Sequence, residues 1–340
     1  MAFPVSSVAN QDPCVREISV RTGEVLEDSG RPWREKRLGA ERVARAFRAL
    51  GDAGRAARCR DCGTTLVFRE CNQRGGDHYR QLVYANFCRE RLCPMCAWRR
   101  SLRLGWLVSR VFHAAYELQP NWRWVMLTLT VRNVPDERLA EQITELLAAW
   151  SRLRKREDLR VVRGWFRVLE ITHNDRERTW HPHIHAVLWV TSTYGKGGSG
   201  YIPHRKWVEL WRDALRVDYD PWVEVHMIRP RGAGDVLSKA AAEVAKYTTK
   251  DSDLWSGLPD EEVTRRVAVL QGALHGRRLY AWGGELRRIA QVVGAEDVED
   301  PSAAELVHVG DGGQEVCPVC ASGLVEHVFR WISRVQQYVG

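Results

Sequence analysis

His183 and His185 stand two residues apart in the run His181-Pro182-His183-Ile184-His185, and in an extended chain residues two apart share a face. Ile184, Ala186, Leu188 and Val190 then point the other way, so two imidazoles project side by side from an apolar-backed strand. The segment 161–172, VVRGWFRVLEIT, reads as a second strand, and Asn174-Asp175-Arg176 as part of the polar turn between them. A hairpin turning about residue 176 or 177 sets Glu170 opposite His183 on the same face. Two imidazoles and one carboxylate leave open positions for water and phosphate oxygens, a donor set that suits Mg²⁺ or Mn²⁺ as a Lewis acid on a phosphate. An isolated strand histidine is more often a packed residue bonded to its neighbours; paired spacing beside a facing carboxylate favours the metal. His181 precedes Pro182, which interrupts the strand, and is left out of the triad.

A second stripe of reactive side chains lies in Glu243-Val244-Ala245-Lys246-Tyr247-Thr248-Thr249-Lys250. Helical spacing puts Glu243, Tyr247 and Lys250 in line, about 120° round the axis from Leu237, Ala241, Val244 and Thr248. Lys250 favours the phenolate of Tyr247, a nucleophile, and Glu243 can take a proton from an attacking water or hydroxyl. Alone, the stripe would read as a solvated helix face. The metal triad elsewhere in the chain changes that reading.

Cys59-x2-Cys62 and Cys93-x2-Cys96 are two knuckles, read together as one structural Zn²⁺ site. Cys88 is an alternative ligand, and Cys71 reads as a small buried side chain. Cys317-x2-Cys320 makes half a site, completed by His308, His327 or a second subunit. Arg99 and Arg100 beside the second knuckle, and Arg277 and Arg278 further on, are the candidate phosphate contacts for DNA. Most of the fifteen tryptophans must pack in the core.

These side chains need a scaffold. WRWVMLTLTV (122–131) alternates as a strand, with Val125, Leu127, Leu129 and Val131 on a core face and Trp124, Met126, Thr128 and Thr130 on an available one. Leu139, Ile143, Leu146, Leu147 and Trp150 recur at helical spacing, so 136–155 can cover that sheet. Helices are expected at 38–50, 97–118, 207–215 and 235–250, and a further strand at 222–228. The order of strand, helix, hairpin, helix, strand and helix predicts an α+β fold: an antiparallel sheet of the ferredoxin-like or split-βαβ kind, covered by helices on one side. The chain divides on this reading into a basic N-terminal extension (1–58), a Cys-rich zinc-binding module (59–100), a domain that carries the metal triad and the tyrosine stripe (101–290) and a C-terminal segment with a CxxC (291–340).

Composition agrees with a globular protein that meets phosphates. Of 340 residues 44% are apolar and 28% charged, and a net charge of +8 is carried mostly by Arg, which suits bidentate bonds to phosphate. No apolar run approaches a membrane span, and the N-terminus lacks a secretory pattern. A reducing cytoplasm is therefore expected, where clustered cysteines bind metal in preference to forming disulfides.

With these elements in place the chain resembles the rolling-circle replication initiators of small bacterial plasmids, members of the HUH endonuclease superfamily. Thr128-Leu129-Thr130, Glu170-Ile171-Thr172, the run from His181 through Leu188, and Ala245-Lys246-Tyr247-Thr248-Thr249-Lys250 carry the resemblance, in the family's order and after Cys93-Pro94-Met95-Cys96. It covers roughly residues 88–285. The resemblance implies a metal-dependent, site-specific nickase and strand transferase. Its metal is Mg²⁺ or Mn²⁺ on His183, His185 and Glu170, and Tyr247 stays joined to the 5′ phosphate. With one tyrosine on the stripe, Glu243 would activate water at termination. The implied partners are double-stranded origin DNA, a single-stranded nick site, a host helicase, a DNA polymerase and single-strand binding protein, with no membrane. The rival readings are a relaxase or single-tyrosine transposase, a non-catalytic zinc-ribbon regulator, and a metal nuclease that activates water directly.

Overall fold

The computed structural model describes residues 18–19, 32–73, 79–195, 197–228, 255–295, 297–300, 305–309 and 314–340. Their strands are β1 (Ile18–Ser19), β2 (Thr65–Cys71), β3 (Arg80–Ala85), β4 (Arg123–Leu129), β5 (Val162–Asn174), β6 (Thr179–Val190), β7 (Val223–Ile228), β8 (Tyr280–Gly284), β9 (Leu324–Ile332) and β10 (Gln337–Val339). Their helices are α1 (Trp33–Ala49), α2 (Ala53–Asp61), α3 (Pro94–Leu118), α4 (Leu139–Leu153), α5 (His204–Leu215), α6 (Asp260–Leu274) and α7 (Glu285–Val292). Each element expected from the sequence within the described residues is present; the helix expected at 235–250 lies outside them.

The chain forms two compact units. One comprises Met1–Glu27, Thr64–Ala85 and Gly312–Gly340, and the other Asp28–Gly63 and Asn86–Asp311. This differs from the contiguous division expected above, because both Cys-rich stretches contribute to the same small sheet. β2 pairs with β3 on one side and with β9, more than 250 residues later, on the other, so Cys71 lies opposite Leu324. Strand pairing of that separation leaves no trace in local periodicity.

In the larger unit five antiparallel strands follow the order β7-β4-β6-β5-β8. One face carries Trp124, Phe166, Val168, Val187, Trp189 and Tyr280, packed on Leu104, Leu107, Val108, Val111, Phe112 and Ala115 of α3 and on Leu286, Ile289 and Ala290 of α7. The other face carries Val125, Leu127, Leu129, Ile184, Ala186 and Leu188, all buried, and α4 meets it where Trp150 packs edge-on to Trp165 at 5.2 Å. Helices therefore cover both faces, which corrects the expectation of a one-sided sheet. The physical reason is visible in β4, whose second face starts with Trp124; a sheet with large apolar groups on both sides must bury both.

The α7 face is admitted by a glycine. A Cβ on Gly164 would sit 2.7 Å from Leu286 Cγ and 2.8 Å from the Leu286 backbone nitrogen, so only a residue without one lets α7 seat against β5. The smaller unit pairs β1-β9-β2-β3 in order, with β10 on β9. Its buried apolar residues include Leu66, Phe68, Leu82, Phe329, Trp331 and Tyr338. No helix among the described residues is long and apolar enough to cross a membrane.

Candidate active site

The β5/β6 hairpin turns between Asn174 and Thr179, which pair with each other, and this register sets Glu170 opposite His183. His183 Nε2 and His185 Nε2 both approach Glu170 Oε2, at 2.6 and 2.7 Å, and all three residues are buried. The rings are aimed from behind. His183 Nδ1 lies 3.1 Å from the His181 carbonyl, and His185 Nδ1 lies 3.1 Å from Thr128 Oγ1 on β4, whose register puts Thr128 opposite His185. A carbonyl only accepts, so His183 Nδ1 carries a proton and holds the ring with its Nε2 facing the carboxylate. An imidazole nitrogen and a carboxylate oxygen that close need a proton or a cation between them. The donor set of two imidazoles and a carboxylate, each oriented by an outer partner, fits an Mg²⁺ or Mn²⁺ ion.

Around this centre the hairpin end is braced by polar contacts. Trp180 Nε1 donates to Asp136 at 2.7 Å, and Asp136 pairs with Arg265 of α6. His173 Nδ1 lies 2.7 Å from Asp175, while the Arg265 guanidinium donates to His173 Nε2 at 3.1 Å. An acceptor Nε2 means a neutral ring, and burial pushes the His173 pKa down in agreement. Arg266, buried in α6, pairs with Asp175. Tyr247, Glu243 and Lys250, the expected nucleophile stripe, lie outside the described residues.

The zinc reading rests on a second group. Cys62, Cys88, Cys93 and Cys96 bring their sulfurs within 4.8 Å of one another, so the described geometry draws in Cys88, the alternative ligand, with Cys59 at 4.0 Å from Cys88. Sulfurs 2.3 Å from one tetrahedral ion lie about 3.8 Å apart. Cys62 and Cys96 are 3.5 Å apart, and Cys88 and Cys96 3.6 Å. Backbone N–H groups of Cys88 and Arg89 donate to Cys62 Sγ and Cys96 Sγ at 3.3 and 3.2 Å. Gly63 and Arg89, each following a cysteine of the group, have positive φ of 67° and 60°; Arg89 donates to sulfur from that turn, and Gly63 N–H donates to the Asn86 carbonyl at 3.0 Å. Burial raises the Cys93 and Cys96 thiols, whereas donation from Cys59, Cys62, Cys93 and Cys96 lowers Cys88. Several thiolates can share that buried space only around a cation, so the residues fit Zn²⁺.

The expected DNA contacts separate by burial. Arg99 is buried, donates to the Leu306 and Val307 carbonyls at 2.8 and 2.7 Å, and lies over the Trp33 and Trp98 rings. Arg100 donates to backbone carbonyls of residues 89, 90 and 91, and Arg277 to Ala273, Ala140 and Thr144. These three hold the fold together. Arg278 is largely exposed and pairs with Asp297 at 2.9 Å on the surface. Beside Cys88 a cleft of about 420 Å³ is lined by Arg55, Arg58, Arg89, Arg91 and Arg100 with Glu90 and Glu299. Thr128 as a support for His185 was not read from the sequence; its strand parity was available, but its neighbour was not.

The family described as Replication protein matches residues 79–339. A "Protein rep" of Lactiplantibacillus plantarum is 34% identical over 324 residues, covering 93% of this chain and 98% of that protein. One from Bacillus amyloliquefaciens is 34% identical over 342 residues, covering 93% and 97%. A "Replication protein" of Staphylococcus aureus is 33% identical over 207 residues, covering 60% and 86%. No solved structure matches the chain at a significant level. A family match spanning most of the chain, with relatives aligned nearly end to end, places this protein in the Rep family of replication proteins.

Proposed function

We propose that this replication protein initiates rolling-circle replication as a site-specific DNA nickase, cutting single-stranded origin DNA and rejoining strands at termination. The observation that carries the reading is the convergence of His183, His185 and Glu170 on one buried point of an antiparallel sheet. Mg²⁺ or Mn²⁺ held there supplies Lewis acidity to a phosphate oxygen. Thr128 and the His181 carbonyl keep the imidazole lone pairs directed at that point, and burial of Glu170 excludes competing water.

Tyr247 is the nucleophile on this reading. Its oxygen, after losing its proton, attacks phosphorus; the bond to the 3′ oxygen breaks, and that oxygen takes a proton to become a free hydroxyl. The 5′ phosphate stays esterified to the tyrosine. Lys250, one turn on in the sequence stripe, favours the phenolate, and Glu243 activates water when replication ends. The free 3′ hydroxyl calls for a DNA polymerase, and the displaced strand for a helicase and single-strand binding protein. A structural Zn²⁺ on Cys62, Cys88, Cys93 and Cys96 would join the end of α2 to the start of α3.

The test incubates the protein with labelled single-stranded origin-like DNA and Mn²⁺ and looks for a denaturation-resistant protein–DNA adduct. Wild type should form it, and Tyr247→Phe and His183→Ala/His185→Ala should not. Cleavage by wild type without an adduct would instead support a nuclease that activates water. Binding without cleavage across origin sequences would support a non-catalytic regulator.

A further inference from the structure

We infer that Cys71, Cys317 and Cys320 form a second zinc site, which staples the smaller unit together. The three sulfurs lie within 4.8 Å of one another, although Cys71 and Cys320 are 249 residues apart in the sequence. Cys71 ends β2, and the pair sits on a tight turn just before β9, the strand that runs beside β2. The separation of Cys71 Sγ and Cys320 Sγ is 3.4 Å. That is far beyond the roughly 2.0 Å of a disulfide bond and near the about 3.8 Å expected of two thiolates on one tetrahedral zinc.

The turn has the construction already seen at the other cysteine group. Val316 bridges Gly323, Cys317 N–H donates to the Ser322 carbonyl at 2.9 Å, and Ala321 N–H donates to the Cys317 carbonyl at 2.8 Å. Ala321, directly after Cys320, takes a positive φ of 57°, as Gly63 and Arg89 do after Cys62 and Cys88. Alanine has no intrinsic reason to adopt that region, so the surrounding turn must hold it there. The Gln73 backbone N–H points at Cys71 Sγ, matching the N–H to sulfur bonds at Cys62 and Cys96. Cys317-Pro318-Val319-Cys320 also repeats the Cys-Pro-x-Cys order of Cys93-Pro94-Met95-Cys96. A cluster of soft thiolates selects Zn²⁺ over Mg²⁺ or Ca²⁺.

The unit has a physical need for such a staple. Its core is a thin layer around Phe68, Phe329, Trp331 and Tyr338, and its main strands come from opposite ends of the sequence. A metal that binds the folded arrangement supplies stability that so small a core lacks.

The test counts zinc per chain by mass spectrometry in full-length protein carrying His183→Ala/His185→Ala, so that the candidate catalytic centre contributes nothing. Two zinc ions per chain are expected, falling to one in Cys71→Ser/Cys320→Ser and to one in Cys88→Ser/Cys96→Ser. A Cys320→His chain should keep two, because imidazole replaces thiolate as a ligand, and its cobalt-substituted form should lose part of the thiolate charge-transfer absorption. One zinc per chain that is unchanged by Cys71→Ser/Cys320→Ser overturns the site, as does a Cys71–Cys320 disulfide in the isolated protein. Neither result bears on nicking by Tyr247, which the adduct assay decides separately.

Discussion

At the scale of single residues, the centre depends on how two imidazoles are aimed. Thr128 touches His185 from the next strand and has no other place in the proposed chemistry. Thr128→Val keeps the shape and removes the oxygen, so the Mn²⁺ concentration for half-maximal nicking should rise by roughly 10- to 100-fold, the usual effect of losing a ligand's outer partner. The rate at saturating Mn²⁺ should change little. A metal titration of cleavage checks this, and a drop in the saturated rate with no shift along the metal axis would show that Thr128 acts otherwise. The same scale separates the cysteines. Cys59 and Cys62 form a knuckle by spacing; Cys59, on α2, lies 4.0 Å from Cys88, and Cys62, just past its end, stands in the close group with Cys88, Cys93 and Cys96.

At the scale of elements, α6 braces the hairpin through its first two turns. Glu262 bonds Arg265 and Arg266 at 2.7 and 2.8 Å, and the Arg265 bond with its neighbours holds the Glu262 carboxyl down at about 2 against an ordinary 4.5. A depressed carboxyl stabilises the fold fully above its unfolded pKa, and that stability is lost as pH falls through the folded value. Glu262→Gln should therefore lower stability at pH 7 by roughly 1–3 kcal/mol. Its deficit against wild type should shrink as pH falls from 4.5 toward about 2, which paired thermal melts across that range would show. On the other side of the sheet, Gly164→Ala pushes a methyl into the Leu286 backbone. A cost of about 1–3 kcal/mol is expected, with chemical denaturation as the readout. An unchanged midpoint would mean that α7 moves aside freely.

At the scale of the whole molecule, the positive charge is not spread evenly over function. The net charge of +8 predicts DNA binding whose affinity falls linearly on a log–log plot with salt. Arg99, Arg100 and Arg277 spend their donors on carbonyls and a hydroxyl within the fold, so only Arg278 of the four expected contacts keeps an exposed guanidinium. Arg278→Ala should weaken binding uniformly across sequences and reduce the salt slope by about 0.7, the share of one single-strand phosphate contact. Fluorescence anisotropy over a salt series measures it, and an unchanged slope would remove Arg278 from the DNA surface.

The sequence by itself determined what is local. A hairpin fixes its own register once its turn is placed, and strand parity fixes which side chains share a face, so Glu170, His183 and His185 were legible together. Amphipathic spacing likewise marked α3, α4 and α5. Only the tertiary structure decided which distant strands lie side by side. It put Thr128 against His185, covered both sheet faces with helices, split the cysteines between two units, and carried Cys71 to Cys317 and Cys320. Those outcomes depend on long-range pairing, where many partners satisfy the same local pattern and the competition is settled by how well the whole chain buries its apolar surface.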